Sequence, residues 1–175
     1  MASNHGVHQH QKGRGAHLVD YLPLMVIFAL SLLTASAMQY KEGAWNWMSW
    51  MHDFMGVFLV VFSMFKFFDL RGFADGFQMY DLLAKLFRPY AYVYPFIELG
   101  LGLGYLSHWQ LDFIYIATLI VMLWGALGVI LALAKGLNIN CACLGTVLKV
   151  PLSTVALLED LGMAAMAGGM LVMAR

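Results

Sequence analysis

The sequence predicts an all-α integral membrane protein, and composition and long apolar runs carry that prediction. Hydrophobic residues make up 62% of the 175 residues and charged residues only 11%. A soluble domain carries about 25% charged residues, so this chain has too few of them to cover a soluble surface. Backbone amides in lipid must be satisfied within the segment, and the long runs lack the alternation of a β-barrel, so the spans are helices. Zero net charge gives no indication of nucleic-acid binding.

Five segments reach the length of about 20 mostly apolar residues that a transmembrane helix needs. They are Tyr21–Met38, Met48–Phe68, Tyr90–Leu106, Phe113–Ala134 and Leu152–Ala174. We divide the chain into a polar His-containing tail over residues 1–17, one extra transmembrane helix over residues 18–40, and a membrane domain over residues 45–174. The lipid bilayer is therefore the first partner that the sequence implies, and a homo-oligomer is compatible with it.

The stretch Arg71–Arg88 is too polar to span the bilayer. Apolar side chains recur there every three or four positions, which predicts an amphipathic helix lying in the membrane interface. We place Asp81 and Lys85 on its polar face, where their spacing allows an ion pair. The apolar face consists of Phe73, Phe77, Tyr80, Leu83 and Phe87.

The distribution of basic residues predicts the orientation in the membrane. With five spans, the side of the N-terminus carries Lys12, Arg14, Lys66, Arg71, Lys85, Arg88, Lys135 and Lys149, and the other side carries Lys41 and Arg175. Because cytoplasmic loops are rich in Lys and Arg, we expect the N-terminus and the 135–150 loop in the cytoplasm of a bacterial inner membrane. Trp45, Trp47 and Trp50 then form an aromatic belt on the outer face.

Ionisable residues within spans are costly and mark candidate functional sites. Glu98 lies about 12 Å from the cytoplasmic end of its span, by the rise per residue of a helix, and Glu159 and Asp160 lie at a similar depth. Lys66 enters from the same side, so a Glu98–Lys66 or Glu159–Lys66 pair is expected. Such a group serves either a structural ion pair or a protonated carboxyl, or else the transit of protons or metal ions.

Methionine and glycine patterns indicate two further features. Met48, Met51 and Met55 share a helix face near His52, and thioether and imidazole groups suit Cu(I) or another soft ion. Methionine is also an ordinary packing residue, so a core role stays open for this stripe and for the one formed by Met163, Met166, Met170 and Met173. Small residues let helices approach closely, which predicts helix contacts at Gly100, Gly102, Gly104, Gly125 and Gly128.

The sharpest local motif is Asn140-Cys141-Ala142-Cys143-Leu144-Gly145. A C-x-C pair is too tight for an unstrained disulfide in regular structure, but two thiolates can chelate one soft ion. The start of the last span lies close by, and a helix N-terminus favours the thiolate. The alternatives are thiol–disulfide exchange with a partner, or two inert loop residues.

Three segments together resemble the MauE branch of the DoxX-type membrane proteins, over roughly Trp45–Ala174. They are Phe65-Lys66-Phe67-Phe68-Asp69-Leu70-Arg71-Gly72-Phe73-Ala74, Tyr94-Pro95-Phe96-Ile97-Glu98-Leu99-Gly100 and Cys141-Ala142-Cys143-Leu144-Gly145-Thr146. The resemblance implies a redox-associated accessory protein that helps to mature the disulfide-rich small subunit of periplasmic methylamine dehydrogenase. It also implies a thioredoxin-like partner or a partner with a heavy-metal-associated domain.

We therefore expect a DoxX-like four-helix bundle with one extra N-terminal helix and one interfacial helix. The first hypothesis is a MauE-like accessory protein, rather than an enzyme, in which Cys141 and Cys143 exchange thiols or hold a metal ion. The alternatives are a soft-metal transporter for copper- or mercury-type ions and a structural subunit of a membrane complex. The candidate buried polar or transit residues are Lys66, Asp69, Glu98, Glu159 and Asp160.

Overall fold

The computed structural model describes residues 22–43, 45–135 and 152–174. The described chain folds into seven helices and contains no strand, which confirms the all-α membrane class. The polar tail and the Cys141–Cys143 motif lie outside the described residues. The helices are α1 (Leu22–Glu42), α2 (Trp47–Phe68), α3 (Leu70–Phe77), α4 (Leu82–Leu86), α5 (Arg88–Leu106), α6 (Leu111–Ala134) and α7 (Leu152–Met173).

Each of the five predicted spans corresponds to one long helix. Among the described helices, α1, α2, α6 and α7 are long and apolar enough to cross a membrane. The fifth long helix, α5, is less apolar than these four and is not among the candidate spans, because it contains Arg88, Glu98 and several glycines and tyrosines.

The long helices pack in pairs. The helix α5 packs along α2, α6 packs along α7, and α1 also contacts α2.

Glycines set the close approach between α2 and α5. A Cβ atom at Gly102 would lie 3.0 Å from the Gly56 carbonyl oxygen, and one at Gly56 would lie 2.9 Å from the Gly102 carbonyl oxygen. The predicted contact at Gly100 is wrong, since nothing lies within 4 Å of a Cβ there, whereas Gly104 faces Ile114 of α6. The helix α5 contacts both α2 and α6. Gly102 therefore faces α2, Gly104 faces α6, and Gly100 faces neither.

The amphipathic stretch is broken into two short helices, α3 and α4. Asp81 ends the predicted continuous helix because its Oδ1 accepts hydrogen bonds from the backbone N–H groups of Leu83 (2.9 Å) and Ala84 (2.7 Å), which makes it the N-cap of α4. The placement of Asp81 on a polar face with Lys85 is therefore wrong: its side chain is fully buried. Aspartate is among the preferred N-cap residues, and capping here takes precedence over the helical periodicity.

Candidate functional site

A buried lysine near the end of α2 joins three helices. Lys66 Nζ lies 2.5 Å from Glu98 Oε2 on α5 and 3.8 Å from Glu159 Oε1 on α7. The side chains are only 2%, 0% and 3% exposed in that order. The structure thus contains both of the ion pairs that the sequence offered as alternatives. Removing these charges from water costs several kcal/mol per ion, and their close pairing offsets part of that cost.

Aromatic rings surround the Lys66 ammonium group. The distances from Nζ to the ring centroids are 5.2 Å for Tyr94, 5.7 Å for Phe73 and 5.9 Å for Phe62. A cation within about 6 Å of a ring face is attracted by the negative face of the ring. The rings belong to α5, α3 and α2, so the short helix α3 completes a site that the long helices begin.

Asp160 follows Glu159 on α7 and faces α6. It is 7% exposed, and a Cβ atom at Gly125 would lie 2.8 Å from Asp160 Oδ2. Glycine at position 125 therefore makes room for the carboxylate between the two helices.

A small cavity of about 10 Å³ lies beside these groups. That volume is comparable with one water-sized group. Its walls combine aromatic rings with carboxylates and the lysine, and they consist of Lys66, Phe73, Phe77, Tyr80, Tyr94, Gly125, Ala156, Glu159 and Asp160. The turn between α3 and α4 closes it on one side: a Cβ atom at Gly128 of α6 would lie 3.1 Å from the Tyr80 carbonyl oxygen.

Asp81 adds a further carboxyl group at this end of the bundle, outside the membrane-spanning segments. Burial raises the pKa of Asp81 above its ordinary value, although the N–H groups of Ala84 and Leu83 that it caps oppose the shift. Its second oxygen, Oδ2, is buried and has no hydrogen-bond partner among the described residues. The acidic character of this end thus extends beyond the residues expected from the sequence. Asp69, another predicted polar residue, caps α3 by accepting a hydrogen bond from the Gly72 N–H (2.9 Å).

The opposite end of α2 carries a different polar group, centred on His52. His52 Nε2 lies 2.5 Å from the Tyr115 hydroxyl of α6, and the ring of His108 stands perpendicular to His52 with centroids 5.2 Å apart. Asp53 Oδ2 accepts a hydrogen bond from Gln39 Nε2 at 3.0 Å. These partners come from α1, α6 and the α5–α6 turn, while His52 Nδ1 is buried and has no hydrogen-bond partner among the described residues.

The predicted soft-metal residues on α2 serve as packing residues. Met55 is fully buried in the core, and Met48 and Met51 pack against it. His52 directs Nε2 to a hydroxyl group. No group of three or more His, Cys, Asp or Glu that could hold a metal ion occurs in the ranges that the structure describes. A metal site at Cys141 and Cys143, outside these ranges, stays a prediction.

The segment that carries Cys141 and Cys143 connects Ala134, the last residue of α6, to Leu152, the first residue of α7. The ionic cluster lies towards the same end of the bundle. Lys66 is two residues from the end of α2, and Glu159 is seven residues from the start of α7, or about 10 Å by the helical rise. Leu152, where the cysteine segment ends, is therefore about 10 Å along α7 from Glu159.

Sequence reasoning missed three contributors to the cluster. The aromatic rings of α3, the space at Gly125 and the buried cap Asp81 depend on how α3 and α4 fold back onto α5 and α6. A partial signal existed for Gly125, since small residues in a span predict a close contact. Ionisable residues within apolar runs, by contrast, directly indicated Lys66, Glu98, Glu159 and Asp160.

These helices and their buried charges define a multi-spanning α-helical membrane protein with a polar site inside its bundle. The chain belongs to the MauE family: residues 45–173 match the family described as methylamine utilisation protein MauE. The match begins after α1, and α1 as an added helix stays a prediction. No curated protein and no solved structure matches the chain. Family membership makes the chain a membrane accessory protein of methylamine utilisation, and the DoxX-type relation stays a prediction.

Proposed function

We propose that this protein assists the maturation of a periplasmic enzyme by thiol–disulfide exchange through Cys141 and Cys143. This proposal requires the 135–150 loop to face the periplasm, which is the opposite of the orientation that the basic residues predict. The observation that supports the proposal is the buried cluster of Lys66, Glu98 and Glu159, since Glu159 lies about 10 Å along α7 from Leu152, where the cysteine segment ends. Intramembrane ionisable groups are expensive and are kept mainly for function. A methylamine dehydrogenase subunit rich in disulfides is the client that the family suggests.

The client supplies two electrons and a thioredoxin-like partner accepts them, so the exchange needs no further reductant or oxidant. A thiolate of the client attacks the Cys141–Cys143 disulfide, one sulfur leaves, and a mixed disulfide forms. The second client thiolate displaces the pair, so the client gains its disulfide and the pair becomes a dithiol. The pair then passes the two electrons to the disulfide of a thioredoxin-like partner. A C-x-C disulfide suits this role, because a strained disulfide is a stronger oxidant.

The buried carboxyls supply a place for the proton that accompanies each exchange. A sulfur that leaves as a thiolate takes up a proton to become a thiol, and an attacking thiol must lose one. Glu159 and Asp160 lie about 10–12 Å from the start of α7, by the helical rise. The positive charge of Lys66 lies next to Glu98 and near Glu159. It therefore favours the ionised form of both carboxyl groups.

The test is to trap the mixed disulfide in cells that produce a disulfide-rich client. Acid quenching, alkylation and non-reducing electrophoresis are applied to Cys141→Ser, Cys143→Ser and the double variant. We expect one single variant to accumulate an adduct that a reductant dissolves, and the double variant to show none. If neither single variant forms an adduct and the client's disulfides form normally without the pair, the proposal is wrong.

Two further measurements complete this test. A membrane-impermeant thiol reagent applied to intact cells determines on which side the pair is accessible. Copper titration of the reduced protein separates redox exchange from metal handling, because two thiolates chelate about one Cu(I) per chain. Tight Cu(I) binding that the double variant loses, together with no adduct, would assign the pair to soft-metal handling instead.

A further inference from the structure

The imidazole of His52, far from the Lys66 cluster, has one nitrogen with a partner and one without. His52 is 3% exposed. Its Nε2 lies 2.5 Å from the Tyr115 hydroxyl, whereas its Nδ1 is buried and has no hydrogen-bond partner among the described residues. A buried polar atom without a partner is costly, so a ligand that binds Nδ1 would remove this cost.

The contact at Nε2 is the kind that prepares a histidine to bind a metal ion. Donation from the Nε2–H group to the Tyr115 oxygen leaves a lone pair on Nδ1, which is the form that coordinates metals. Histidines that bind metal ions usually donate their other ring N–H to an oxygen atom, because this hydrogen bond fixes the tautomer and the ring orientation. Tyr115 holds His52 in this way.

A second imidazole lies beside His52. The ring centroid of His108 is 5.2 Å from that of His52, closer than those of Tyr115 (5.7 Å) and Tyr105 (6.1 Å). His108 belongs to the turn between α5 and α6 and is exposed. Its backbone φ of 52° is left-handed, a conformation that is uncommon outside glycine but in which histidine is enriched. One imidazole of the pair is thus buried and the other is open to solvent.

The separation of the two rings fits a shared tetrahedral ion. With a Zn–N distance of about 2.0–2.1 Å and a tetrahedral angle, two imidazoles on one Zn²⁺ place their ring centroids about 5.2 Å apart. The observed separation of His52 and His108 is 5.2 Å. No group of three or more His, Cys, Asp or Glu that could hold a metal ion occurs in the described ranges, so water fills the other two positions of such an ion.

We propose that His52 Nδ1 and His108 together bind a divalent transition-metal ion such as Zn²⁺. Neutral imidazole suits this class of ion, whereas Mg²⁺ and Ca²⁺ prefer oxygen ligands. Asp53 follows His52 in α2, and Asp112 lies in the first turn of α6; their carboxyl groups offset part of the charge of the ion. The ion ties the α5–α6 turn to α2, a structural role that does not depend on the proposed thiol exchange.

The test uses a full-length background in which these two imidazoles are the only ones left. The chain has six histidines and two cysteines, and the background carries His5→Gln, His8→Gln, His10→Gln, His17→Gln, Cys141→Ser and Cys143→Ser. This protein in lipid nanodiscs is dialysed against zinc chloride, and bound zinc is measured by elemental analysis. The midpoint of thermal unfolding is followed in parallel, and magnesium chloride at equal concentration is the control for divalent charge.

We expect one bound zinc per chain and an unfolding midpoint that rises with zinc concentration, as for a ligand that binds the folded state, and neither effect with magnesium. His108→Asn removes the exposed imidazole, and asparagine tolerates a left-handed backbone, so the variant should fold and lose about tenfold or more in affinity. Gln110→Asn is the matched control, because Gln110 is the other left-handed residue of the same turn; its affinity should equal that of the background.

A second variant tests the buried side of the site. Tyr115→Phe removes the oxygen that orients His52, and the loss of such a partner lowers metal affinity by about 10–100-fold. A background protein that binds no zinc, that binds magnesium equally, or that keeps its full affinity in His108→Asn would overturn the proposal. Thiol exchange, measured in the parent chain carrying only His108→Asn, should be unchanged, so the two proposals succeed or fail separately.

Discussion

The two ends of α2 bury polar side chains in opposite ways. At one end Lys66 forms charged pairs with carboxylates from α5 and α7. At the other end His52 meets a tyrosine hydroxyl and Asp53 meets the amide of Gln39. The two groups are about 21 Å apart along the helix, by its rise per residue, so one helix connects two independent polar sites.

The difference lies in the charge of the partners at each end. Around His52 and Asp53 the partners are a tyrosine hydroxyl and a glutamine amide, and the rings of Tyr105 and Tyr115 stack near the imidazole. Around Lys66 the partners are carboxylates from α5 and α7, beside a small cavity. Both ends bury one atom that has no hydrogen-bond partner among the described residues, His52 Nδ1 at one and Glu98 Oε1 at the other. Because ionisable clusters inside a bundle are functional candidates, we propose a structural role for the His52 end and a functional role for the Lys66 end.

The largest effect should come from removing the cation at the functional end. Lys66→Met leaves Glu98 fully buried and without its cationic partner, and breaking a buried pair in this way costs about 3–5 kcal/mol. The free energy of unfolding, measured by denaturation with sodium dodecyl sulfate in mixed micelles, checks this prediction. Arg88→Met is the matched control: it breaks a pair with Asp75 whose side chains are 60% and 62% exposed, which is worth at most about 1 kcal/mol. Equal losses in the two variants would refute the assignment of a tightly coupled charge cluster.

A smaller effect is expected at the structural end. Tyr115→Phe removes the hydroxyl that His52 Nε2 contacts at 2.5 Å and leaves a buried imidazole nitrogen unsatisfied, which costs about 1–3 kcal/mol. The same unfolding measurement applies, and thiol exchange should stay at the parental level. Tyr40→Phe is the control, because Tyr40 is almost fully exposed. A loss of thiol exchange in folded Tyr115→Phe would show that the two ends of α2 are coupled.

The sequence predicts the helices and the charged pairs, but not the partners that depend on how the helices pack. Helix positions followed from apolar length, and the pairing of Lys66 with Glu98 and Glu159 followed because charges inside apolar runs must find opposite charges. The partner of His52 did not follow, since the choice of Tyr115 depends on how α2 and α6 lie relative to one another. The break at Asp81 was also missed, because a local capping interaction overrode a regular amphipathic period.

The smallest effect is expected at Asp81. One of its buried carboxyl oxygens accepts two backbone hydrogen bonds, and the other has no hydrogen-bond partner among the described residues. Burial raises the pKa of Asp81, so the folded state holds the proton more tightly than the unfolded chain. Its contribution to stability is therefore present at low pH and is lost as the pH rises through the raised pKa. Asp81→Asn keeps the oxygen that caps α4 and removes the charge, because Asn and Asp cap equally well.

At pH 7 we expect Asp81→Asn to match or exceed the parent by less than about 1 kcal/mol, with a weaker loss of stability as the pH is raised above 4. Asp81→Ala, which removes the cap as well, should lose about 0.5–2 kcal/mol relative to Asp81→Asn. Thermal unfolding in nanodiscs between pH 4 and pH 8 measures both. An asparagine variant as unstable at pH 7 as the alanine variant would mean that the Asp81 charge itself stabilises this end of the bundle, which contradicts the raised pKa of Asp81.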